Sequence, residues 1–360
     1  MSLGSPGLAK EAMQRWAFCL EQTLGHRAHS KNLQRMIGAA PAQVDVHLIE
    51  YSERKTRVPA PWAVRGSFAA LRTLRTTKAD YQTVFYHTQT VALFAPFVRN
   101  ARSYVVSVDA TPLQMDAVGQ WYEHRIGMRA SEAVKTRWYR RVLQGAEAVV
   151  AWSEWASNSL VDDYGVERSR ILIAHPGAPE EFFGIPRPTT TRTPTVLFVG
   201  GDFERKGGPA LLRAFRHVAD RANLLIVSDA EIGDYADVTQ LRGVRPGTPE
   251  LLAAYAQADI FCLPTRGDCT PVVLGEAMAA GLPVITTDIG SNSETLQHSA
   301  TGLLIRVDDD AGLIEALTQL VDNPDTRQRM GAAARRAACE RFDASRNSAR
   351  ILCLLESISS

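Results

Sequence analysis

Short apolar runs rich in Val, Ile and Leu recur along the chain, and longer amphipathic stretches separate them. This alternation predicts strands and helices in turn, and hence βα units with mainly parallel sheets. The predicted strands of the first half cover 15–20, 44–49, 83–86, 103–108, 147–152 and 170–175. Those of the second half cover 195–200, 223–228, 259–264, 283–287 and 302–307.

The two halves are joined by the segment 183–195, which carries three prolines and a threonine cluster. Such a composition is typical of a connector. A chain of 360 residues also exceeds the roughly 250 to 300 residues at which single cores stop growing. We therefore predict a first domain over 1–188, a second over 189–340, and a carboxyl-terminal helix over 341–360 that packs back on the first domain. Ligands of open parallel sheets bind beyond the carboxyl ends of the strands, so the site is expected in a cleft between the domains.

Charge and cysteine content narrow the class of protein. Forty Lys and Arg against 39 Asp and Glu give a net charge of +1, which argues against a nucleic-acid-binding protein. The five cysteines form no close pair of the zinc-ribbon or redox type, so a reduced, cytoplasmic protein is expected. The amino terminus lacks the apolar run of a secretory signal, and no stretch approaches the roughly 18 apolar residues of a membrane span.

A basic run extends from Arg54 to Lys78, with Trp62 and Phe68 interleaved. Two interpretations are open. The run is either a solvated helix face, which is the commoner meaning, or a peripheral contact with the inner face of a membrane or with a lipid-phosphate acceptor.

The most informative stretch is 259–287, in which a strand, a polar turn, a helix and a second strand follow one another. The first amides of a helix lack partners within it, so the turn and helix start together form an anion site. Glu276 lies about one turn inside that helix and is placed to accept hydrogen bonds from a ribose diol. Asp268, eight positions earlier, is either a cap of the turn or a ligand of sugar hydroxyls.

These residues carry a resemblance to a known family. Asp268 and Glu276, followed by AMAAGLPVITTDIGSNSE, resemble the paired-acid region of retaining GT-B glycosyltransferases, specifically family 4. The similarity extends through Ser153-Glu154, HPGAP at 175–179, VGGDFERKGG at 199–208, and TGLLI at 301–305. The resemblance implies an α/β protein of GT-B fold, with two Rossmann-like, doubly wound parallel-sheet domains that face a cleft.

The resemblance also implies a donor site for a nucleotide-diphosphate sugar, with a UDP or GDP sugar expected. Glu276 would bind the ribose, Asp268 the sugar, and Lys206 the diphosphate. Asp268 is one methylene shorter than the glutamate of the family motif, and Arg205 either replaces a missing family cation or faces solvent. The remaining expected donor contacts are Gly25 at the diphosphate, Val244 and Arg245 beside the base, and a loop that reads Cys269, Thr270, Pro271 and Val272. For Arg245, an ordinary surface charge is an equally open interpretation.

The acceptor side is expected on the first domain. Asp109 follows a strand at the position where many family members carry His, and is either a turn residue or a carboxylate that orients the acceptor hydroxyl. The resemblance also makes His26 and His29 candidate contacts, with His26 on the acceptor side, although a histidine in a polar loop is more often merely exposed. His87 stands at a strand end, with a cleft role and a structural role equally open.

The predicted function is transfer of a sugar to the hydroxyl of a sugar, glycan or lipid-linked acceptor, with retention at the anomeric carbon. Asp109, Lys206 and Glu276 are the expected catalytic residues. Asp162-Asp163 and 308–310 lack further ligands, and Asp310 fits a helix cap, so no metal is expected, nor any cofactor. The alternatives are a phosphorylase, a sugar-nucleotide epimerase, or a protein that binds nucleotide sugars without catalysis.

Overall fold

The computed structural model describes residues 14–23, 25–51, 61–122, 127–187, 192–233, 235 and 237–359. Two six-stranded sheets, parallel throughout, form the centres of two α/β domains. The first sheet consists of β1 (Arg15–Glu21), β2 (Gln43–Ile49), β3 (Tyr81–Tyr86), β4 (Ala101–Val108), β5 (Ala148–Ala151) and β6 (Ile171–Ile173). The second consists of β7 (Thr195–Val199), β8 (Asn223–Val227), β9 (Val238–Leu241), β10 (Ile260–Leu263), β11 (Val284–Thr287) and β12 (Gly302–Ile305).

Helices connect the strands in both domains. Those of the first half are α1 (His26–Ile37), α2 (Trp62–Thr76), α3 (Pro112–Val118), α4 (Arg129–Gly145), α5 (Glu154–Asp162) and α6 (Glu180–Phe183). Those of the second half are α7 (Gly208–Phe215), α8 (Pro249–Gln257), α9 (Val272–Ala279), α10 (Asn292–Thr295), α11 (Asp310–Asp322), α12 (Pro324–Arg341) and α13 (Ala344–Ser359).

The strand orders define the two topologies. The first sheet has the order β2-β1-β3-β4-β5-β6, and the second β12-β11-β10-β7-β8-β9. Read from its other edge, the second is the 3-2-1-4-5-6 order of dinucleotide-binding folds, whereas the first begins 2-1-3 as in flavodoxin-like sheets. The predicted class of two doubly wound, Rossmann-like domains is confirmed.

Alternation along β1 shows how the first domain builds a core on both faces of its sheet. Trp16, Phe18 and Leu20 pack into one cluster, whereas Ala17 and Cys19 pack into the other, and all five are fully buried. Ile351, Leu352 and Leu355 of α13 join the first of these clusters. The last helix of the chain thus covers one face of the first sheet, although α12 before it packs on the second domain.

All eleven predicted strands are present, within two residues at each end. The sequence analysis missed β9, an edge strand of sequence VTQL. Its side chains are half-buried or exposed, so it lacks the apolar run that marked the other strands. The predicted cap at Asp310 is wrong by one residue: Asp309 accepts the hydrogen bond from the Gly312 amide, while Asp310 pairs with Arg213 on the surface.

Candidate functional site

The site lies where the strand order reverses in both sheets. In the first sheet the reversal falls between β1 and β3, and in the second between β7 and β10. Connections leave such neighbouring strands toward opposite faces of the sheet, which opens a crevice at their carboxyl ends. The two crevices face each other and form one cleft of about 600 Å³, lined by residues of both domains.

Arg205, Lys206 and Asp268 form a buried ionic cluster on the second-domain wall of the cleft. Lys206 Nζ lies 3.0 and 2.9 Å from the two carboxylate oxygens of Asp268, and Arg205 Nη1 lies 2.9 Å from Asp268 Oδ1. Arg205 also donates to the carbonyl of Gly267 and is 7% exposed, so the interpretation that it faces solvent is wrong. All three residues line the cleft.

The cluster fixes the charge of Asp268. Burial by itself would raise the pKa of this carboxyl, but the adjacent Lys206 and Arg205 outweigh it, and the pKa is lowered. Asp268 is therefore a carboxylate that orients two cations at the cleft. Its predicted contact with a sugar would have to coexist with these ion pairs.

Glu276 occupies the second turn of α9 and is 5% exposed where it lines the cleft. Its Oε2 accepts a hydrogen bond of 3.0 Å from the hydroxyl of Tyr255. Burial raises the pKa of Glu276 to about 7, and the Tyr255 hydrogen bond offsets only part of this shift. Tyr255 is fully buried, between Phe182 and the stacked ring of Phe261, and therefore fixes the direction of the carboxyl group.

The loop before α9 also lines the cleft, as predicted for Cys269, Thr270, Pro271 and Val272. Pro271 is the residue at which α9 begins, and Gly281, with φ of 76°, turns the chain after the helix toward β11. Burial raises the pKa of the Cys269 thiol well above its ordinary value, so the thiol stays protonated and is a poor nucleophile. The thiol instead contacts Met115 of the first domain, with 3.3 Å between the sulfur atoms.

Val244 and Arg245 lie at the cleft as well. Arg245 is largely exposed and pairs with the carboxylate of Asp229, which in turn accepts a hydrogen bond from the Gly243 amide. Arg245 is thus both a surface charge and a residue of the cleft.

On the first-domain wall, Gly25, His26 and Asp109 line the cleft. His26 is the first residue of α1, and it lies between two carboxylates. Its Nδ1 is 3.5 Å from Glu21 Oε2, and its Nε2 is 3.3 Å from Asp109 Oδ2. The expectation that His26 is merely exposed is wrong, because its side chain is only 12% exposed and is paired on both sides.

Glu21 is the last residue of β1 and is fully buried. Hydroxyl groups of Thr23, Tyr51 and Thr88 donate to its carboxylate. Burial alone would raise the pKa of Glu21, but the His26 charge and hydrogen bonds from His26, Thr23 and Thr88 hold it at about 2.

His87 and His29 do not line the cleft. His87 is 0% exposed and His29 2%, and both pack against Trp152 behind His26. Burial, and then the nearby His26 charge, lowers the pKa of His87 to about 3. The acceptor-side assignment of His87 is therefore corrected to that of a neutral residue which supports His26.

Sequence reasoning missed Glu21 and Tyr255. An acidic residue that ends the apolar run RWAFCL was a usable signal for Glu21, because such a position opens on the ligand-binding edge of a parallel sheet. The sequence does not indicate a site role for Tyr255, because an aromatic residue in an amphipathic helix is usually a core residue.

Two further features bear on partners. Among the described residues, no group of three or more His, Cys, Asp or Glu side chains is arranged to hold a metal, and no helix is long and apolar enough to span a bilayer. In the basic run, 52–60 lies outside the described residues, Trp62 lines the cleft, and Phe68 of α2 is 59% exposed. Membrane contact stays a prediction, as do the absence of a metal requirement and the cytoplasmic location.

Comparison with solved structures establishes the class of fold. Sucrose-phosphate synthase from Thermosynechococcus elongatus superposes with a TM-score of 0.72 at 16% identity, over 96% of this chain and 99% of that chain. Anabaena Alr3699/HepE in complex with UDP and glucose superposes with a TM-score of 0.69 at 15% identity, over 96% of this chain and 100% of that one. Together with the two sheets, these superpositions show that the chain has the GT-B fold.

Residues 193–323 match the family model Glycosyl transferases group 1, which supports the resemblance of the second domain to glycosyltransferases. Retention and membership of family 4 stay predictions. Two curated relatives are similar at the sequence level. D-inositol 3-phosphate glycosyltransferase of Pseudarthrobacter chlorophenolicus is 34% identical over 54% of this chain and 52% of its own length. Phosphatidyl-myo-inositol mannosyltransferase of Mycobacterium leprae is 32% identical over 66% of this chain and 61% of its own length. The chain thus spans about half the length of the curated relatives it matches first.

Proposed function

We propose that this protein is a glycosyltransferase that moves a sugar from a nucleotide-diphosphate sugar to an acceptor hydroxyl, with retention of the anomeric configuration. The observation that carries the proposal is the Arg205, Lys206 and Asp268 cluster, which faces the same cleft as the carboxyl group of Glu276. Cations and a diol-binding group at one switch point match the two ends of a ribosyl diphosphate.

The donor would lie mainly on the second domain. Glu276 accepts from the ribose hydroxyls, and Lys206 and the amides at the start of α9 bind the diphosphate. Val244 and Arg245 border the position of the base. The HepE structure with UDP and glucose is of a protein that shares only the fold, but it supports a nucleotide sugar as the ligand class to test first.

In the reaction, the bond between the anomeric carbon and the phosphate oxygen breaks, and its electron pair leaves with the diphosphate. A bond from the acceptor oxygen to the anomeric carbon forms, and the hydroxyl proton passes to the oxygen of the leaving diphosphate. Negative charge grows on the diphosphate as the bond breaks, so a fixed cation stabilises the transition state more than the ground state. Loss of one such stabilising group costs on the order of 10² to 10³ in rate at comparable oxyanion sites.

The test is a thermal-shift screen against UDP, GDP and ADP sugars. Ligand binding raises the melting temperature by mass action, and this shift should disappear in Glu276→Gln and Lys206→Met. Glu315→Gln and Lys78→Met, at exposed positions, are the matched controls and should respond like the wild type. The donor site is misassigned if no nucleotide sugar raises the melting temperature, or if both site variants respond like the wild type.

A product assay then separates the enzymatic alternatives. A phosphorylase requires inorganic phosphate, and an epimerase releases no glycosylated acceptor. Tight donor binding with neither hydrolysis nor transfer would instead identify a non-catalytic binding protein. Because one curated relative is named for D-inositol 3-phosphate, this compound is the first acceptor to test.

A further inference from the structure

Three ionisable side chains stand in line on the first-domain wall of the cleft. They lie at the carboxyl edge of the first sheet: Glu21 ends β1, His26 begins α1, and Asp109 follows β4. Glu21 is fully buried, whereas His26 and Asp109 border the cleft with side chains 12% and 13% exposed. We refer to this arrangement as the Glu21–His26–Asp109 triad.

The inner end of the triad is rigid. Three hydroxyl groups donate to the Glu21 carboxylate, from Thr23, Tyr51 and Thr88. A buried carboxylate that accepts several hydrogen bonds is held in one orientation, and the imidazole 3.5 Å away is its ionic partner.

The outer end of the triad presents a carboxylate to the cleft. Asp109 Oδ2 is 3.3 Å from His26 Nε2, and Oδ1 has no hydrogen-bond partner among the described residues. Thr270 of the second domain donates to the Asp109 carbonyl at 3.4 Å, so the group lies where the two domains meet. A buried oxygen without a donor at this position is complementary to a hydroxyl group.

The groups around His26 favour its charged, imidazolium form. Glu21 and Asp109 are the two carboxylates that face it, and the other titratable neighbours, His29 and His87, are buried and have lowered pKa values. Burial by itself would lower the pKa of His26, but the two carboxylates outweigh it and raise the pKa to about 10. The ring of Trp152, 5.6 Å from His26, completes the enclosure.

We propose that Glu21 and His26 are positioning residues: Glu21 holds His26 as an imidazolium, which binds Asp109 Oδ2 and leaves Oδ1 to accept a hydrogen bond from the reacting hydroxyl of the acceptor. The inference rests on the proposed function for the identity of that hydroxyl. The charge state of His26 does not depend on it. The triad therefore serves the acceptor, and the Arg205, Lys206 and Asp268 cluster serves the donor.

The first experiment measures the protonation of His26 directly, by the side-chain ¹⁵N chemical shifts of the wild-type protein between pH 6 and 9. His26→Gln assigns the signal. The triad requires a charged imidazolium at pH 8. A neutral imidazole at that pH overturns the inference, whether or not the protein is a glycosyltransferase.

The second experiment compares the pH dependence of transfer in Glu21→Gln and in the wild type. The acceptor is D-inositol 3-phosphate, and the donor is the nucleotide sugar selected by the thermal-shift screen. Without its carboxylate partner, His26 loses its proton at a lower pH, so transfer by the variant should fall as pH rises. We expect a loss of roughly 10- to 100-fold at pH 8, at or below the lower end of the range for acid–base groups because Glu21 acts through His26, and partial recovery at pH 6.

The dissociation constant of the donor should remain within about twofold of the wild-type value, because the donor site lies on the other domain. Glu50→Gln, at an exposed position after β2, is the matched control and should follow the wild-type pH profile. A Glu21→Gln profile parallel to the wild type overturns the positioning role. Absence of donor binding in the wild type refutes the proposed function, and the ¹⁵N measurement then still decides the charge state of His26.

Discussion

At the level of single residues, the carboxyl groups in and behind the cleft are in different electrostatic states. Asp268 has cations on two sides, Glu21 has hydroxyl donors and an imidazole, and Glu276 has only burial and one phenol. Burial penalises the charged form, and only a nearby opposite charge or several donors reverse the effect. Glu276 is therefore the group whose protonation changes near neutral pH.

The raised pKa of Glu276 predicts that this residue lowers the stability of the folded protein above neutral pH. Its folded-state pKa of about 7 lies above the ordinary value of 4.5, so the folded protein binds more protons than the unfolded chain between these pH values. Stability contributed by this group therefore falls as pH rises from 4.5 to 7, and the penalty is complete above pH 7. We expect Glu276→Gln to raise the free energy of unfolding at pH 8 by on the order of 2 to 3 kcal/mol and to leave it nearly unchanged at pH 4.5.

Urea unfolding at the two pH values measures this difference. Tyr255→Phe removes the hydrogen bond that favours the carboxylate, so this variant should lose stability at pH 8 rather than gain it. Equal stability changes for Glu276→Gln at pH 4.5 and pH 8 would contradict the assignment of a raised pKa.

Among the structural elements, the loop between β7 and α7 positions Arg205 and Lys206. Gly207, directly after Lys206, has φ of 78°, and a Cβ atom at this residue would lie 1.9 Å from the carbonyl oxygen of Pro264. The loop therefore passes so close to the end of β10 that only glycine fits at position 207. This close approach is what brings Arg205 and Lys206 to Asp268.

Gly207→Ala should destabilise the protein by at least about 2 kcal/mol. The alanine Cβ atom would clash with Pro264, and alanine is strained in the left-handed backbone conformation of this residue. It should also weaken donor binding, because the two cations shift with the loop. Gly201→Ala is the control for stability, since no atom lies within 4 Å of its Cβ position. Chemical denaturation of both variants tests the prediction, and similar unfolding midpoints for the two would refute it.

At the scale of the whole molecule, Glu294 of the second domain connects the two domains. Its carboxylate oxygens accept from the backbone amides of Glu154 and Trp155 at 3.0 and 2.8 Å, and Ser153 caps the next amide of α5. The first-domain helix α5 therefore receives most of its amino-terminal cap from the other domain. A negative charge at the amino-terminal end of a helix is favourable, so Glu294 stabilises the contact between the two domains.

Replacing Glu294 by Ala should weaken domain closure by about 1 to 3 kcal/mol, the cost of leaving two amides without a charged acceptor. Small-angle X-ray scattering should then show a larger radius of gyration than for the wild type. Addition of the nucleotide sugar should reverse part of the increase, since the proposed donor lies mainly on the second domain and reaches Gly25 on the first. An unchanged scattering profile would show that other contacts, such as Arg266 over the ring of Trp121, hold the domains together without Glu294.

The α/β fold class, eleven of the twelve strands and the loop before α9 follow from the sequence alone, because these depend on local periodicity and on residues close together in the chain. Sequence reasoning also brought out Asp109, Lys206, Asp268 and Glu276, which lie in a loop after a strand or within the first two turns of the helix that follows. Only the tertiary structure decided their partners. Glu21 and Asp109 are 88 residues apart in the chain, and Tyr255 and Glu276 are 21 residues apart. Such residues come together through strand order and packing, which no local sequence pattern encodes.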